Sequence, residues 1–475
     1  MAGDGFLVRL AQKRLNEAAF PGYKTCPGSK PAKDFAVSQP FLAHIQGILD
    51  RGVADASYDD GPSYRPSPMF SRIAGCATAV ARKLWNDGAK RTTLGNAMIQ
   101  WKTHCRHFRG EKPCRFNRPC DGCPHESPMG RRILIFKIGA LGDVLRTTPL
   151  LRALERTPGP RHVTWLVGEG ARPLLDGHPR IDRLLTPGYE TSALLEVEKF
   201  DVLLSLDKDA YSTSLAMKID AAERRGFGRD RFGALIPIHP DSRYAYDLGL
   251  SDELKFHQNQ KTYQQIIFEV SGLPWNGEEY DLPGFDRDAQ DDSWKRTTLA
   301  AAGVHPKGIV VGFNTGAGGV FVNKAWTVEG YADLAKRLAA QGCTVALLGG
   351  PSEAGKNQKI AALAEGAAVD TGGHRSLSEF AHLVGACDLV VTGDTLGMHL
   401  AIAAQVPVIV LFGSTCPQEI ELYGRGEKIV TPISCHPCYR KTCDITPSCQ
   451  DLITVDTVYE ACSRALSAIS SRARM

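Results

Sequence analysis

The chain has no long hydrophobic run: nothing in its 475 residues approaches the roughly 18 consecutive apolar residues of a membrane-spanning helix. That absence excludes an integral helical membrane protein. The opening MAGDGFLVRLAQKR lacks a signal peptide's basic start and continuous apolar stretch, so we expect a cytoplasmic protein. No short-period repeat is present, which excludes a solenoid. The phosphate-loop pattern ending Gly-Lys-Ser/Thr and the strict Gly-x-Gly-x-x-Gly are both missing. Aromatics make up only 8% of the chain, and no aromatic stripe interleaves with the basic residues of 1–130. This disfavours nucleic acid as a partner.

What remains is a globular composition, 43% hydrophobic and 23% charged, long enough for about three units. The net charge of +4 is unevenly placed. Residues 1–130 hold 19 Lys/Arg against 11 Asp/Glu, a balance of +8, and residues 131–475 hold 37 against 41, a balance of −4. A basic leading segment suits either an anionic surface, including peripheral membrane contact, or simple solvation.

Four segments follow from texture: an extension over 1–104, partly helical; a cysteine-bearing segment over 105–128; and two α/β units over 129–300 and 301–475. In the first unit, RRILIFKI, VTWLV (163–167) and VLLSLD (202–207) read as strands. VLRTTPLLRALER between them reads as one amphipathic helix. In the second, GIVVGFN (308–314), TVALLGG (344–350), DLVVTGD (388–394) and VPVIVLFGS (406–414) read as strands separated by helices. Strands apolar throughout belong to parallel sheets covered on both faces. The expected fold class is α/β, with two doubly wound domains.

In such sheets ligands lie at the carboxyl ends of the strands, where helix N-termini present free amides to anions. Three loops have suitable chemistry. Asn314-Thr315-Gly316-Ala317-Gly318-Gly319 is followed by Lys324-Ala325-Trp326, so Thr315 offers a hydroxyl, Gly316 a close backbone and Lys324 a mobile cation. Gly393-Asp394-Thr395-Leu396-Gly397-Met398-His399 and Gly413-Ser414-Thr415 also run out of strands. Each alone could be turn chemistry. Their recurrence favours a nucleoside diphosphate. In the first unit, Asp143 ends the turn Lys137-Ile138-Gly139-Ala140-Leu141-Gly142-Asp143, either as a helix-capping carboxylate or as a general base.

ILIFKIGALGDVLRTTPLLRAL resembles the opening strand–turn–helix of glycosyltransferase family 9, the ADP-heptose:lipopolysaccharide heptosyltransferases. NTGAGG…NKAW, LLGGPSE, SLSEFAHLVGACDLVVTGDTLGMHLA and VIVLFGST resemble that family's donor motifs, in order, over about residues 131–465. The resemblance implies a GT-B fold with two Rossmann-like domains facing each other, inverting transfer, and no cofactor for catalysis. It puts Asp143 in the role of base. Thr315, Gly316, Lys324, Asp394, Thr395, Gly397 and His399 fall on or beside positions for the diphosphate or donor sugar, and Glu353 near the ribose. Leu396 stands where the family has glycine, which bears on the donor's identity.

Eight of the 14 cysteines form two sets, Cys105-x8-Cys114-x5-Cys120-x2-Cys123 and Cys435-x2-Cys438-x4-Cys443-x5-Cys449, with His436 a substitute ligand in the second. In a reducing compartment such sets read as structural zinc, iron or iron–sulfur sites, with reduced thiols as the alternative. The autotransporter-type branch of the family carries a cysteine-held iron, and the second set is similar in kind.

The expected activity is transfer of a sugar, heptose from ADP-heptose by family default, to a hydroxyl of a glycan or glycolipid such as lipopolysaccharide core. Transfer to protein, as in the autotransporter branch, is the same-class alternative. A non-catalytic metal-cluster scaffold gripping an anionic polymer is the alternative of another class, disfavoured by the presence of Asp143.

Overall fold

The computed structural model describes residues 100–110, 114–285, 291–318 and 324–472. The expected helical extension therefore lies outside the described residues up to residue 99. Two six-stranded sheets organise the remainder. The first contains β1 (Arg131–Phe136), β2 (Arg161–Leu166), β3 (Arg183–Leu185), β4 (Lys199–Ser205), β5 (Asp220–Arg229) and β6 (Leu235–Pro237), in spatial order β3-β2-β1-β4-β5-β6. The second contains β7 (Val310–Asn314), β8 (Thr344–Leu348), β9 (Ala368–Asp370), β10 (Leu389–Gly393), β11 (Val408–Phe412) and β12 (Gly426–Val430), in order β12-β11-β10-β7-β8-β9.

Every pairing is parallel except β5–β6. That hairpin departs from the all-parallel expectation because the chain reverses tightly after β5. Asp230 accepts from the Phe232 and Ala234 amides at 2.9 Å, and Gly233 adopts φ +81°. The continuous apolar strands are buried on both faces. Ile133 and Ile135 of β1 join one core layer, while Leu134 and Phe136 join the opposite one. Val390 of β10 likewise faces one layer and Leu389 and Val391 the other. The C-terminal helix Val455–Arg472 closes the second sheet through Val458, Ala461, Cys462 and Leu466. No helix among the described residues is long and apolar enough to cross a membrane.

Two sequence expectations change. The single helix over VLRTTPLLRALER is two, Leu141–Leu145 and Pro149–Glu155, because Pro149 has no amide hydrogen to continue the first ladder. The break matters, since it confines Asp143 to one short turn at the end of β1. The chain also passes to the second half before residue 300. Leu299, on the helix Asp292–Ala301, is fully buried against the core that holds Val310, Ala346 and Val390.

Between the halves, Glu278–Asp281 works as a double-sided tie. Glu278 pairs with Arg156, and Asp281 pairs with Arg152 at 3.1 Å and Arg180 at 2.9 Å, all in the first half. Glu279 makes a bidentate pair with Arg425 at 2.7 and 2.9 Å, and Tyr280 reaches His399, both in the second half. A second bridge crosses where Gln418 Nε2 donates to Lys255 O at 3.2 Å and Phe256 stacks on Tyr439.

Candidate active site

Strand order reverses between β1 and β4 in one sheet and between β7 and β10 in the other. Ligands of doubly wound sheets bind at such switch points, beyond the strands' carboxyl ends. The end of β1 delivers Lys137 and Asp143; the ends of β7 and β10 deliver Asn314, Thr315 and Asp394. The two switch points meet. Gly142 lies so close to His399 that a Cβ on it would stand 2.3 Å from His399 Cδ2.

Asp143 sits in the first turn of its helix with Arg146 Nη2 2.8 Å from Oδ1 and Lys137 Nζ 3.9 Å from Oδ2. Burial alone would raise its pKa, but Arg146, Lys137 and His399 outweigh that and hold the carboxyl at about 2. It is ionised at any physiological pH. The Arg146 guanidinium is itself fixed 3.8 Å over the Tyr263 ring. Lys137 is buried and also pairs with Asp207. Asp143, Lys137, Lys208, Lys255, Tyr263 and Glu419 line a cleft of about 320 Å³. Burial, with Lys255 and Lys137 nearby, lowers Lys208 to about 8.

On the other side, the helix Leu396–Ala403 begins at Thr395, whose side chain makes no cap. Its hydroxyl accepts instead from Asn314 Nδ2 at 2.8 Å. The first amides of this helix are thus left uncapped by that side chain, the arrangement that attracts anions. Gly397 permits it, because a Cβ there would meet Asn314 Cγ at 2.4 Å. The tight approach falls at Gly397, one residue after Leu396, so leucine at the family's glycine position does not obstruct Asn314. Lys324 Nζ pairs with Asp394 Oδ2 at 3.0 Å. Burial raises the Asp394 pKa, but Lys324 and His399 bring the net shift below the usual range. His399 is buried, accepts or donates through Nδ1 to Tyr280 Oη at 3.1 Å, and is lowered to about 4 by burial and Arg146. It is neutral at pH 7.

Thr315 differs from expectation. Its side chain is fully buried and its hydroxyl donates to Asn357 Oδ1, so it braces the loop rather than offering itself to a ligand. Gly316 lies against Glu353, where a Cβ would stand 2.4 Å from Glu353 Cδ. The Glu353 carboxylate is held by the Gly350 amide at 2.9 Å and Ser352 Oγ at 2.8 Å. Lys356, unmarked by any motif, donates to Thr315 O at 3.1 Å and Trp326 O at 2.5 Å, tying the end of β7 to the start of the next helix. Gly319 lies outside the described residues.

Arg146, Lys137, Tyr280 and Lys356 are the site residues that sequence reasoning missed. Arg146 had a signal, the i,i+3 spacing from Asp143; Tyr280 had none. Of the second cysteine set, Cys435 is exposed and Cys449 buried, and the Cys449 thiol is pushed up to about 11 by burial and by Cys438, Cys443 and Cys435. His436 turns Nδ1 to Gly413 O at 2.9 Å. Among the described residues no three His, Cys, Asp or Glu side chains converge as a metal site. The iron implied by the resemblance therefore finds no convergent ligand set there.

The model of glycosyltransferase family 9 (heptosyltransferase) matches residues 192–448. Lipopolysaccharide heptosyltransferase 2 of Salmonella typhimurium is 35% identical over 303 residues, covering 60% of this chain and 84% of that protein. Lipopolysaccharide heptosyltransferase 1 of Pseudomonas aeruginosa is 28% identical over 344 residues, covering 67% and 89%. Among solved structures, a Veillonella parvula family 9 glycosyltransferase superposes with TM-score 0.54 at 20% identity, covering 71% of this chain and 98% of that one. The Escherichia coli ADP-heptose lipopolysaccharide heptosyltransferase II gives 0.53 at 20%, covering 72% and 100%. The two facing Rossmann-like halves are the expected GT-B fold, and the chain belongs to glycosyltransferase family 9: it is a glycosyltransferase.

Proposed function

We propose that the protein transfers heptose, with inversion, from ADP-heptose to a hydroxyl of a cell-envelope glycan such as lipopolysaccharide core. One observation carries this reading: an ionised carboxylate, Asp143, stands where Gly142 touches His399, beside the uncapped start of the helix Leu396–Ala403. A base and an anion site are then adjacent across the cleft.

The acceptor hydroxyl attacks the anomeric carbon from the face opposite the diphosphate. The new C–O bond forms as the bond to the diphosphate oxygen breaks, Asp143 takes the hydroxyl proton, and ADP leaves with the bonding electron pair. A carboxylate held near pH 2 is a weak ground-state base, but the hydroxyl becomes strongly acidic only as its oxygen bonds the cationic sugar carbon. Arg146 and Lys137 keep Asp143 ionised and aimed. The amides opening Leu396–Ala403, with Lys324, offset the charge growing on the leaving diphosphate. Asp394 orients Lys324, Thr395 and Gly397 shape the amide cradle, and Gly316 and Glu353 border the nucleoside side. The cleft sets Lys137, Arg146, Lys208 and Lys255 against Asp143, Asp207 and Glu419, a mixed polar lining suited to a hydroxyl-rich acceptor.

Calorimetric titration with ADP, UDP and GDP, followed by transfer assays with ADP-heptose and lipopolysaccharide-core acceptors, tests the reading. Selective ADP binding and inverted product are expected. Preference for UDP or GDP would change the donor, and failure to bind any of the three would overturn the proposal.

A further inference from the structure

Residues 101–130, which lead into β1, pose a physical problem. Among the described residues of this segment there is no helix or strand, only an isolated antiparallel bridge between Cys105 and Pro128 and a series of turns. Cys105 is the one buried residue among them. A piece of chain with so little buried apolar surface does not hold a shape by hydrophobic burial; short elements of this kind are stapled by disulfides or by a metal. Its cysteines form no disulfide.

The four cysteines come together all the same. Cys105, Cys114, Cys120 and Cys123 all line one small recess, walled by Trp101, Phe108 and Phe116. Three of them open turns: Phe108 N–H donates to Cys105 O at 2.9 Å, Asn117 N–H to Cys114 O at 2.7 Å and Cys123 N–H to Cys120 O at 3.1 Å. Gly122, at φ +63°, lets the chain double back between the last pair, as a chelating Cys-x2-Cys knuckle requires. Ser127 N–H donates to Cys105 Sγ at 3.5 Å, a contact that fixes the direction of the sulfur. Residues 101–130 carry 6 Lys/Arg against 3 Asp/Glu, so the surroundings counter the charge of four thiolates. The sulfurs ring the recess rather than meeting at a point, since no three side chains converge on a single-ion position.

We propose that Cys105, Cys114, Cys120 and Cys123 hold an iron–sulfur cluster, whose ligands stand apart around several irons rather than meeting on one ion, and that the cluster staples residues 101–130 onto the first sheet. Arg106 is the docking side chain, donating to Arg161 O at 2.7 Å and pairing with Asp182 at 3.0 Å. The centre is remote from the donor-side residues in sequence and takes no part in transfer.

The test uses the full chain, purified anaerobically from cells supplied with both iron and zinc. The variant Cys435→Ser/Cys438→Ser, which disables the other cysteine set, should retain one centre per chain. About four iron and four acid-labile sulfide per chain, with visible absorption, are the expected complement, and about one colourless zinc in their place overturns the cluster. Cys114→Ser/Cys120→Ser should lose that complement. No iron in the first variant, or wild-type iron content in the second, overturns the proposal. A measurement without loss of these ligands guards against misfolding: chelator treatment of the Cys435→Ser/Cys438→Ser protein should speed tryptic cleavage at Arg109 and Arg115 at least tenfold. Unchanged cleavage after the metal is removed would show that it holds nothing together.

Discussion

Gly142 and His399, one from each half of the molecule, touch so closely that the glycine hydrogen occupies the place of any side chain: a Cβ would come within 2.3 Å of the imidazole Cδ2. That contact sets the separation between Asp143, one residue on, and the helix that opens at Leu396. Gly142→Ala must push the halves apart or drive His399 from Tyr280. We expect about 1–3 kcal/mol of destabilisation, with a loss of turnover exceeding the loss of ADP affinity. Thermal unfolding, calorimetry and transfer rates measured on the same preparation check this.

Asp143→Asn should lower turnover about 100- to 10,000-fold while leaving ADP affinity within a few-fold of wild type. Because the native carboxyl is held at about 2, wild-type activity should show no acid limb attributable to Asp143 between pH 8 and pH 5. A variant with near-normal turnover would remove Asp143 as the base.

Lys324→Ala should weaken ADP binding roughly tenfold or more, since a cation pairing with phosphate is lost. It also leaves Asp394 buried without its 3.0 Å partner, so the melting temperature should fall too. Unchanged ADP affinity would show that the phosphates lie elsewhere.

His399 makes stability depend on pH in a defined direction. Folded, it takes up a proton only near pH 4; unfolded, it does so near 6.5. The unfolded state therefore binds the extra proton as pH falls from 6.5 towards 4, and stability declines across that window by on the order of 3 kcal/mol, then levels. Urea midpoints for wild type and His399→Gln at pH 7 and pH 4.5 test this; the variant's curve should be flatter.

Asp281 anchors the tie to the first half, its carboxylate paired with Arg152 and Arg180 and its amide donating to the Thr148 hydroxyl. Asp281→Ala should cost about 2 kcal/mol and, if the proposed phosphate site is right, leave ADP binding intact, because Lys324, Asp394 and the helix Leu396–Ala403 lie on the other half. A loss of ADP affinity equal to that of Lys324→Ala would contradict this separation.

The apolar strands were legible because a sheet covered on both faces demands uninterrupted hydrophobic runs. β1, β2, β4, β7, β8, β10 and β11 all formed where RRILIF, VTWLV, VLLSL, IVVGFN, TVALL, LVVTG and VPVIVLF predicted them. The edge and outer strands were not legible: β5 reads DAAERRGFGR, β9 is three residues and β12 reads GEKIV, none with a period or composition that separates it from loop. Pro149 was visible in the sequence, yet its effect on the helix was not anticipated.

At the site, the sequence by itself determined which loops end at strand tips and which residues they carry, because glycine, acid and lysine at those points have few structural uses. Only the tertiary structure decided how they are spent. Thr315 turned inward to Asn357, Thr395 gave its hydroxyl to Asn314 instead of capping its helix, and Arg146 and Lys137 closed on Asp143. Tyr280 met His399 from 119 residues away. Hydrogen bonds and charge pairs of this kind are satisfied by whatever the fold brings within 3 Å, and sequence separation carries no information about that choice.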